Sequence, residues 1–254
     1  MKDSGIPKTD YSEIAKYYDK SRASPIDVWL SKIVEYGKIE ANCTVLDVGC
    51  GTGRFPLSML SIRNCVFYAL EPSIEMLRQA VGKYESRRIL WVRGDGKRLP
   101  FREDLFDCVY MTWVIHHIDD KETALRQIRR VLKKDGNCVI MTNLHSRIRK
   151  HVLSDFPEVL AIDLKRFPPI PSLKETMMKV GFRAVHHHIL RYDRGYISTD
   201  EYLERVRNKY VSTLTLLIED EFQRGFKIFQ KRIRRKYGDQ IEQIDRFVFV
   251  VGLK

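Results

Sequence analysis

From Thr44 onward the chain alternates two patterns: short runs of consecutive apolar residues, and longer stretches whose apolar residues recur every three or four positions. The short runs Thr44–Val48, Val66–Leu70, Ile89–Val92, Cys108–Trp113 and Cys138–Thr142 predict buried strands. Between them, one helix starts near Arg54 and another begins with Ser73 as N-cap, turning Ile74, Leu77, Val81 and Tyr84 inward. A third starts at about Lys121, with Leu125, Ile128 and Leu132 on one face, and Lys134-Asp135-Gly136-Asn137 turns the chain back. A helical preface precedes this alternation. Asp10–Tyr18 carries Tyr11, Ile14, Tyr17 and Tyr18 at helical spacing, with Asp10 and Glu13 placed like a capping box, and a second helix covers Pro25–Tyr36. Strands separated by helices call for an α/β fold with a parallel, doubly wound sheet, whose ligands bind beyond the carboxyl ends of the strands.

The most telling stretch is Val45-Leu46-Asp47-Val48-Gly49-Cys50-Gly51-Thr52-Gly53-Arg54. A strand that runs into glycine at every second position fits a turn against which a ligand lies almost in backbone contact. Asp47 puts negative charge beside that turn, which points to a cationic ligand. Two further acids stand at predicted strand ends. Glu71, in Ala69-Leu70-Glu71-Pro72, is where a carboxylate takes ribose hydroxyls, and Asp95, in Gly94-Asp95-Gly96, is within reach of an adenine amino group. Taken singly, Glu71 also reads as an exposed strand-end acid and Asp95 as a turn residue. Three acids at three successive strand ends make a set.

Composition narrows the picture. The 254 residues suffice for one domain with insertions, and no apolar run is long enough to span a membrane. Met1-Lys2-Asp3-Ser4-Gly5 carries acid and no apolar core, so no secretory signal is expected there. Cys43, Cys50, Cys65, Cys108 and Cys138 form no C-x-x-C pair, so reduced thiols in a cytoplasmic protein are expected and no metal site. The net charge of +12 is spread along the chain. Its densest cluster, Lys231–Lys236, lies on a predicted helix whose other face is Ile218, Phe222, Phe226, Phe229, Ile233 and Tyr237. That cluster reads as a solvated face, with an RNA contact as the alternative. His186-His187-His188 resembles a metal tract, but a strand would send neighbouring side chains to opposite faces.

Val45–Arg54, Ala69–Ser73, Gly94–Phe101, Phe106–Val109 and Arg130–Gly136 occur in order, and over about residues 10–145 the chain resembles the class I S-adenosylmethionine-dependent methyltransferases, in the type 11 branch that includes quinone-biosynthesis enzymes. The resemblance implies a Rossmann-like, seven-stranded, mostly parallel sheet with helices on both faces, strand six at Arg183–Leu190 and an antiparallel strand seven at Arg246–Leu253. It also implies S-adenosylmethionine as cofactor, with S-adenosylhomocysteine as product. By that likeness Asp47, Gly49, Gly51 and Gly53 hold the methionine moiety, Glu71 with Pro72 the ribose, and Asp95 with Gly96 the adenine. Met76 packs near the adenine, or is a plain helix-core residue. Thr112 and Trp113 line the sulfonium region, Tyr18 and Arg22 on the N-terminal helix bind the cofactor, and Tyr18 touches its carboxylate end or the acceptor. Gly96 stands where these enzymes often carry alanine.

The expected organisation is a single domain in four parts: a helical cap at 1–40, a cofactor-binding core at 41–145, an irregular substrate-side segment at 146–180, and the last two strands at 181–254 with a helical insertion at 192–245. Helices are expected there at Thr199–Tyr210 and Glu219–Tyr237. The 146–180 segment, with its Phe167-Pro168-Pro169-Ile170-Pro171 run, and the 192–245 insertion are the candidates for an acceptor pocket and lid. A methyl group on a sulfonium is already activated, so a general base is needed only where the acceptor must lose a proton. His116 and His117, with Tyr17, Tyr18 and Arg22 on the N-terminal helix, are the candidates, with packing or capping as the other reading of the histidine pair. The expected acceptor is a small molecule, against the alternatives of transfer RNA and of cofactor binding without turnover.

Overall fold

The computed structural model describes Thr9 and residues 26–83 and 88–254. The helix expected over Asp10–Tyr18 lies outside the described residues, as do Tyr17, Tyr18, Arg22 and Tyr84. Among the described residues the order is α1 (Ile26–Gly37), β1 (Thr44–Val48), α2 (Arg54–Ile62), β2 (Val66–Glu71), α3 (Ile74–Val81), β3 (Ile89–Arg93), β4 (Phe106–Thr112), α4 (Lys121–Val131) and β5 (Leu132–Asn143). There follow α5 (His145–Lys150), α6 (Val159–Arg166), α7 (Ile170–Lys179), β6 (Ala184–Ser198), α8 (Thr199–Arg207), α9 (Glu219–Tyr237) and β7 (Gln240–Leu253).

The seven strands form one sheet in the order β3-β2-β1-β4-β5-β7-β6. The first five are parallel, and β7 runs antiparallel to both its neighbours. The chain leaves β1 in one direction to reach β2 and returns past it to reach β4, so a crevice opens at the carboxyl end of β1. Both faces of the sheet are covered, which is why its strands read as unbroken apolar runs. Val45, Phe67, Tyr110 and Val139 pack with Trp29 and Ile33 of α1 and Met59 of α2. On the other face Leu46, Val109 and Ile140 meet Leu125 and Ile128 of α4 and Leu173 and Met177 of α7.

A third core lies beyond the carboxyl edge. Leu153, Phe156 and Val159 pack there with Ile197, Tyr202, Leu203, Phe222, Phe229 and Ile241. The two segments singled out as insertions thus share one apolar interior and form one cap. Gly225 of α9 permits this closeness, since a Cβ there would stand 2.5 Å from the Phe156 ring.

The boundaries in this half differ from those expected. Residues 146–180 are not irregular: α5, a 3-10 turn at Val152–Asp155, α6 and α7 fill them. Helices this short show too few turns for a three-to-four period to emerge. The proline run opens α7, with Pro169 as N-cap, where a missing N–H costs nothing. The 192–245 insertion is helical only in its middle. β6 continues to Ser198 and β7 begins at Gln240, pairing Tyr192 with Asp245 and Ser198 with Gln240. This arm carries mixed polar residues held by ladder hydrogen bonds, so no apolar run announced it. In α3 the buried residues are Met76, Leu77 and Ala80, while Val81, at the helix end, is 48% exposed. Leu132, expected on the α4 helix, is the first residue of β5, and Val131 completes the α4 face.

The basic cluster of α9 is solvated and tied to the cap: Lys236 pairs with Asp155 at 2.7 Å, Arg232 donates to the Asp155 carbonyl, and Arg234 pairs with Asp200. The three histidines of β6 are exposed, and His188 stacks on Tyr36 with centroids 4.3 Å apart. Among the described residues no helix is long and apolar enough to cross a membrane.

Candidate cofactor and acceptor site

The glycine turn is built by inward hydrogen bonds. Gly49 N–H and Cys50 N–H both donate to the Leu70 carbonyl, Gly51 N–H donates to Glu71 Oε2 at 2.9 Å, and Gly53 N–H donates to the Cys50 carbonyl. A phosphate cradle keeps such donors for its ligand; here they are spent on β2 and on the turn itself. The three glycines differ in purpose. At Gly51, with φ +56°, a Cβ would meet nothing within 4 Å among the described residues, and Gly51 borders the cleft. A Cβ on Gly49 would strike Val114. Gly53 faces the protein interior, where a Cβ would lie 2.6 Å from the Trp91 ring and 3.0 Å from Ala80. It lines neither cavity described below, so its need for glycine comes from packing and from starting α2.

The acids also divide. Glu71 is 6% exposed; its Oε2 takes the Gly51 N–H and its Oε1 the Ser73 N–H at 3.0 Å. Burial raises its pKa against the pull of those two N–H groups. Each oxygen keeps a lone pair for a further donor. Asp47 stands behind the turn. It is fully buried, lines neither cavity, and among the described residues neither carboxylate oxygen has a hydrogen-bond partner. Burial pushes its pKa well up, the nearby Tyr110 hydroxyl opposes this although too poorly placed for a hydrogen bond, and Glu71 adds to it. Asp95 is exposed, and its Oδ1 accepts from Lys97 N–H at 2.8 Å.

Two cavities meet at Gly49, His116 and His117. The first, about 530 Å³, is bounded by Glu71, Pro72, Asp95, Gly96 and Ile118. The second, about 230 Å³, runs from Gly51, Thr112 and Trp113 into the cap, where Asn143, Arg147, Arg194, Tyr202, Tyr210 and Asp245 bound it. Trp113 closes β4 with φ +60°, a conformation bulky residues rarely adopt, and its ring meets Phe247 edge-on at 4.7 Å. Met76 is 1% exposed and lines neither cavity, so it is a helix-core residue.

His116 stacks on Phe167 with centroids 4.0 Å apart. His117 is held by Arg166, whose Nη2 lies 3.1 Å from its Nδ1. Arg166, 6% exposed, also donates to Thr213 Oγ1 at 3.0 Å, and Thr213 in turn donates to Asp163. The structure therefore joins Gly49, Gly51, Glu71, Pro72, Asp95, Gly96, Thr112, Trp113, His116 and His117 along one cleft. It leaves Asp47, Gly53 and Met76 behind it. Sequence reasoning missed Arg147, Arg166, Arg194 and Asp245, and no local motif marks them.

Residues 46–140 match the family described as a methyltransferase domain. Similar proteins include an O-methyltransferase of Aspergillus nomiae, 29% identical over 160 residues that span 59% of this chain and 69% of the relative. The demethylmenaquinone methyltransferase of Lactococcus lactis is 28% identical, over 70% of this chain and 82% of its own. Among solved structures, a protein described as a methyltransferase from an antibiotic biosynthesis pathway of Anabaena variabilis superposes with TM-score 0.73 at 22% identity, covering 90% of this chain and 98% of that one. A phosphoethanolamine N-methyltransferase of Haemonchus contortus, solved with S-adenosylmethionine, shares the fold with TM-score 0.63 at 17% identity, over 98% of this chain and 60% of its own. The fold and the matched domain mark an S-adenosylmethionine-dependent methyltransferase of class I. Over that domain the chain is similar to the demethylmenaquinone methyltransferase. The residues present suit a cationic nucleoside: an unpartnered buried carboxylate at Asp47, open space over Gly51, and a strand-end carboxylate at Glu71 with lone pairs to spare.

Proposed function

We propose that this methyltransferase acts on a small-molecule acceptor enclosed between the glycine turn and the cap. One observation carries the reading: the cavity that begins at Gly51 and Trp113 ends among residues of the two cap segments. In this reading Glu71, beside Pro72, takes the ribose hydroxyls, and Asp95 and Gly96 face the adenine. Gly49, Gly51, Thr112 and Trp113 line the methionine and sulfonium end. Asp47 acts from behind the turn, its charge favouring the cationic ligand without contact.

When bound, the sulfonium supplies a methyl group activated for in-line displacement. The protein's part is to align the acceptor and exclude water, and orientation of this kind lowers a barrier by roughly 7–11 kcal/mol. The Trp113–Phe247 pair and the cap supply the walls. His116, stacked on Phe167, packs the cavity side, and His117, held at Nδ1 by Arg166, lines it as well. Four of the five free cysteines are buried, and on that ground we assign the enzyme to the reducing cytoplasm.

The test is incubation of the enzyme with methyl-labelled S-adenosylmethionine and fractionated extracts. Label entering a low-molecular-weight product supports the reading. Label entering transfer RNA, with steeply salt-dependent binding, replaces it with the RNA alternative. Tight S-adenosylhomocysteine binding with no transfer to any fraction replaces it with a binding role.

A further inference from the structure

Helix α9 turns one face into the cap and leaves the opposite one bare. Phe222, Phe226, Phe229 and Ile233 are buried in the cap core. Across the helix from them Arg224, Lys227, Ile228, Lys231 and Arg235 are exposed. At 3.6 residues per turn these five fall within about 100° of arc, and the stripe runs for roughly 16 Å. The acids of the helix, Glu219, Asp220 and Glu221, all stand in its first turn, where they complement the helix dipole. The charged residues of the later turns are all basic.

Cations on the flanks of this helix have partners: Lys236 pairs with Asp155, Arg234 with Asp200, and Arg232 donates to the Asp155 carbonyl. The stripe differs. Among the described residues Lys227, Lys231 and Arg235 have no ion pair or hydrogen bond, and Arg224 donates only to the Asp220 carbonyl of its own helix. Like charges three and four residues apart repel one another, and an anionic surface laid over them relieves that repulsion. The kind of anion follows from the shape and the apolar members. The stripe is a convex ridge whose one apolar residue, Ile228, is aliphatic and 45% exposed, and Ile218, just ahead of the helix, is 63% exposed. Single-stranded RNA is held in cationic grooves on aromatic platforms, and the ridge offers neither. A bilayer presents a broad anionic plane, with an acyl boundary where aliphatic side chains and lysine stems settle. The helix is already formed and fixed to the cap, so docking orders little.

We infer that α9 docks this enzyme on the surface of an anionic lipid bilayer, as a peripheral contact, with Arg224, Lys227, Lys231 and Arg235 among the headgroups and Ile228 at their base. The apolar face of α9 is already taken by the cap, so the attraction is chiefly electrostatic and weakens with salt. It holds whichever acceptor the cavity takes.

The experiment is co-sedimentation of the full chain with vesicles of phosphatidylcholine alone and of phosphatidylcholine mixed equally with phosphatidylserine. Binding to the mixed vesicles is expected to be about tenfold tighter or more, and to fall as salt is raised. Lys227→Glu combined with Lys231→Glu is expected to abolish that preference, with the melting temperature unchanged. A second pair, Arg224→Glu with Arg235→Glu, repeats the test on the other two cations. Arg102→Glu with Lys134→Glu, two exposed cations outside the cap, makes the same change in net charge and is expected to keep the preference. Ile228→Ser is expected to weaken vesicle binding at every salt concentration. Equal binding to both kinds of vesicle overturns the inference, as does a Lys227→Glu, Lys231→Glu protein that sediments like the wild type. Loss of equal size in the Arg102→Glu, Lys134→Glu protein overturns it too, since net charge and not α9 would then be responsible. Transfer RNA that binds more tightly than the mixed vesicles, and is lost in the α9 variants, overturns it in favour of nucleic acid.

Discussion

Arg166 aims Nη2 at Nδ1 of His117 across 3.1 Å. An arginine has no acceptor to offer, so Nδ1 accepts and the ring proton sits on Nε2. His117 in this state is a donor at Nε2. As a general base it would first have to exchange tautomer or lose its arginine. Glutamine reproduces the arrangement, with a carbonyl for Arg166 and an N–H in place of Nε2–H. His117→Gln is therefore expected to keep kcat within about tenfold, and His117→Ala to lose roughly a hundredfold or more, the scale of a lost transition-state donor. Single-turnover rates on the identified acceptor check this; equal, complete loss in both variants restores the base assignment.

Glu71 holds two backbone N–H groups as well as facing the larger cavity. A glutamine has one acceptor oxygen, so its amide would oppose a second donor. Glu71→Gln is expected to cost about 1–3 kcal/mol of stability through a buried donor left unpaired. S-adenosylhomocysteine affinity should fall at least tenfold with it. Chemical denaturation and calorimetry read the two effects separately. An affinity unchanged in this variant removes Glu71 from the cofactor site.

Asp47 is stabilising only when protonated or when a cation lies over the turn. Its folded pKa is raised well above the unfolded value near 3.8, so the folded state binds the extra proton between the two. Its contribution is intact below the unfolded value and is lost as pH rises through the folded one. Asp47→Asn should therefore melt higher than wild type without ligand, with an advantage that grows from pH 4 to pH 8. Each 1 kcal/mol corresponds to about 2–4 °C in a chain of this size. The same variant should bind S-adenosylmethionine more weakly. A melting temperature that drops at pH 8 would show a structural partner for this carboxylate.

Gly51 and Gly53 should fail differently when each is replaced by alanine. Gly51→Ala meets no atom of the described residues but fills cleft space, and its left-handed φ costs roughly 1–2 kcal/mol. It is expected to fold and to lose cofactor affinity. Gly53→Ala collides with Trp91 and Ala80 and is expected to lose stability first, with cofactor affinity recovered in whatever fraction folds. Thermal melts with and without S-adenosylhomocysteine separate the two.

The amino-acid sequence by itself determined the alternating α/β order, the glycine turn after β1 and the strand-end positions of Glu71 and Asp95. These are local: an apolar run, a helix cap or a glycine acts within a few residues, and pattern reports it directly. Pattern also found the two cap segments, as departures from the regular alternation. Local signals could not tell Gly51 from Gly53, since both sit in one repeat and differ only in what lies opposite their α-carbons. Pattern put Asp47 beside the turn and the resemblance put it on the methionine moiety, while its burial behind the turn depends on how the strands pack. The cap end of the smaller cavity was decided by tertiary structure alone. Arg147, Arg194 and Asp245 come from α5, β6 and β7, and a charge cluster assembled from distant segments leaves no periodic or spaced trace in any one of them. What joins them is the shared apolar core of the cap, an arrangement that hydrophobic burial imposes only once the whole chain has folded.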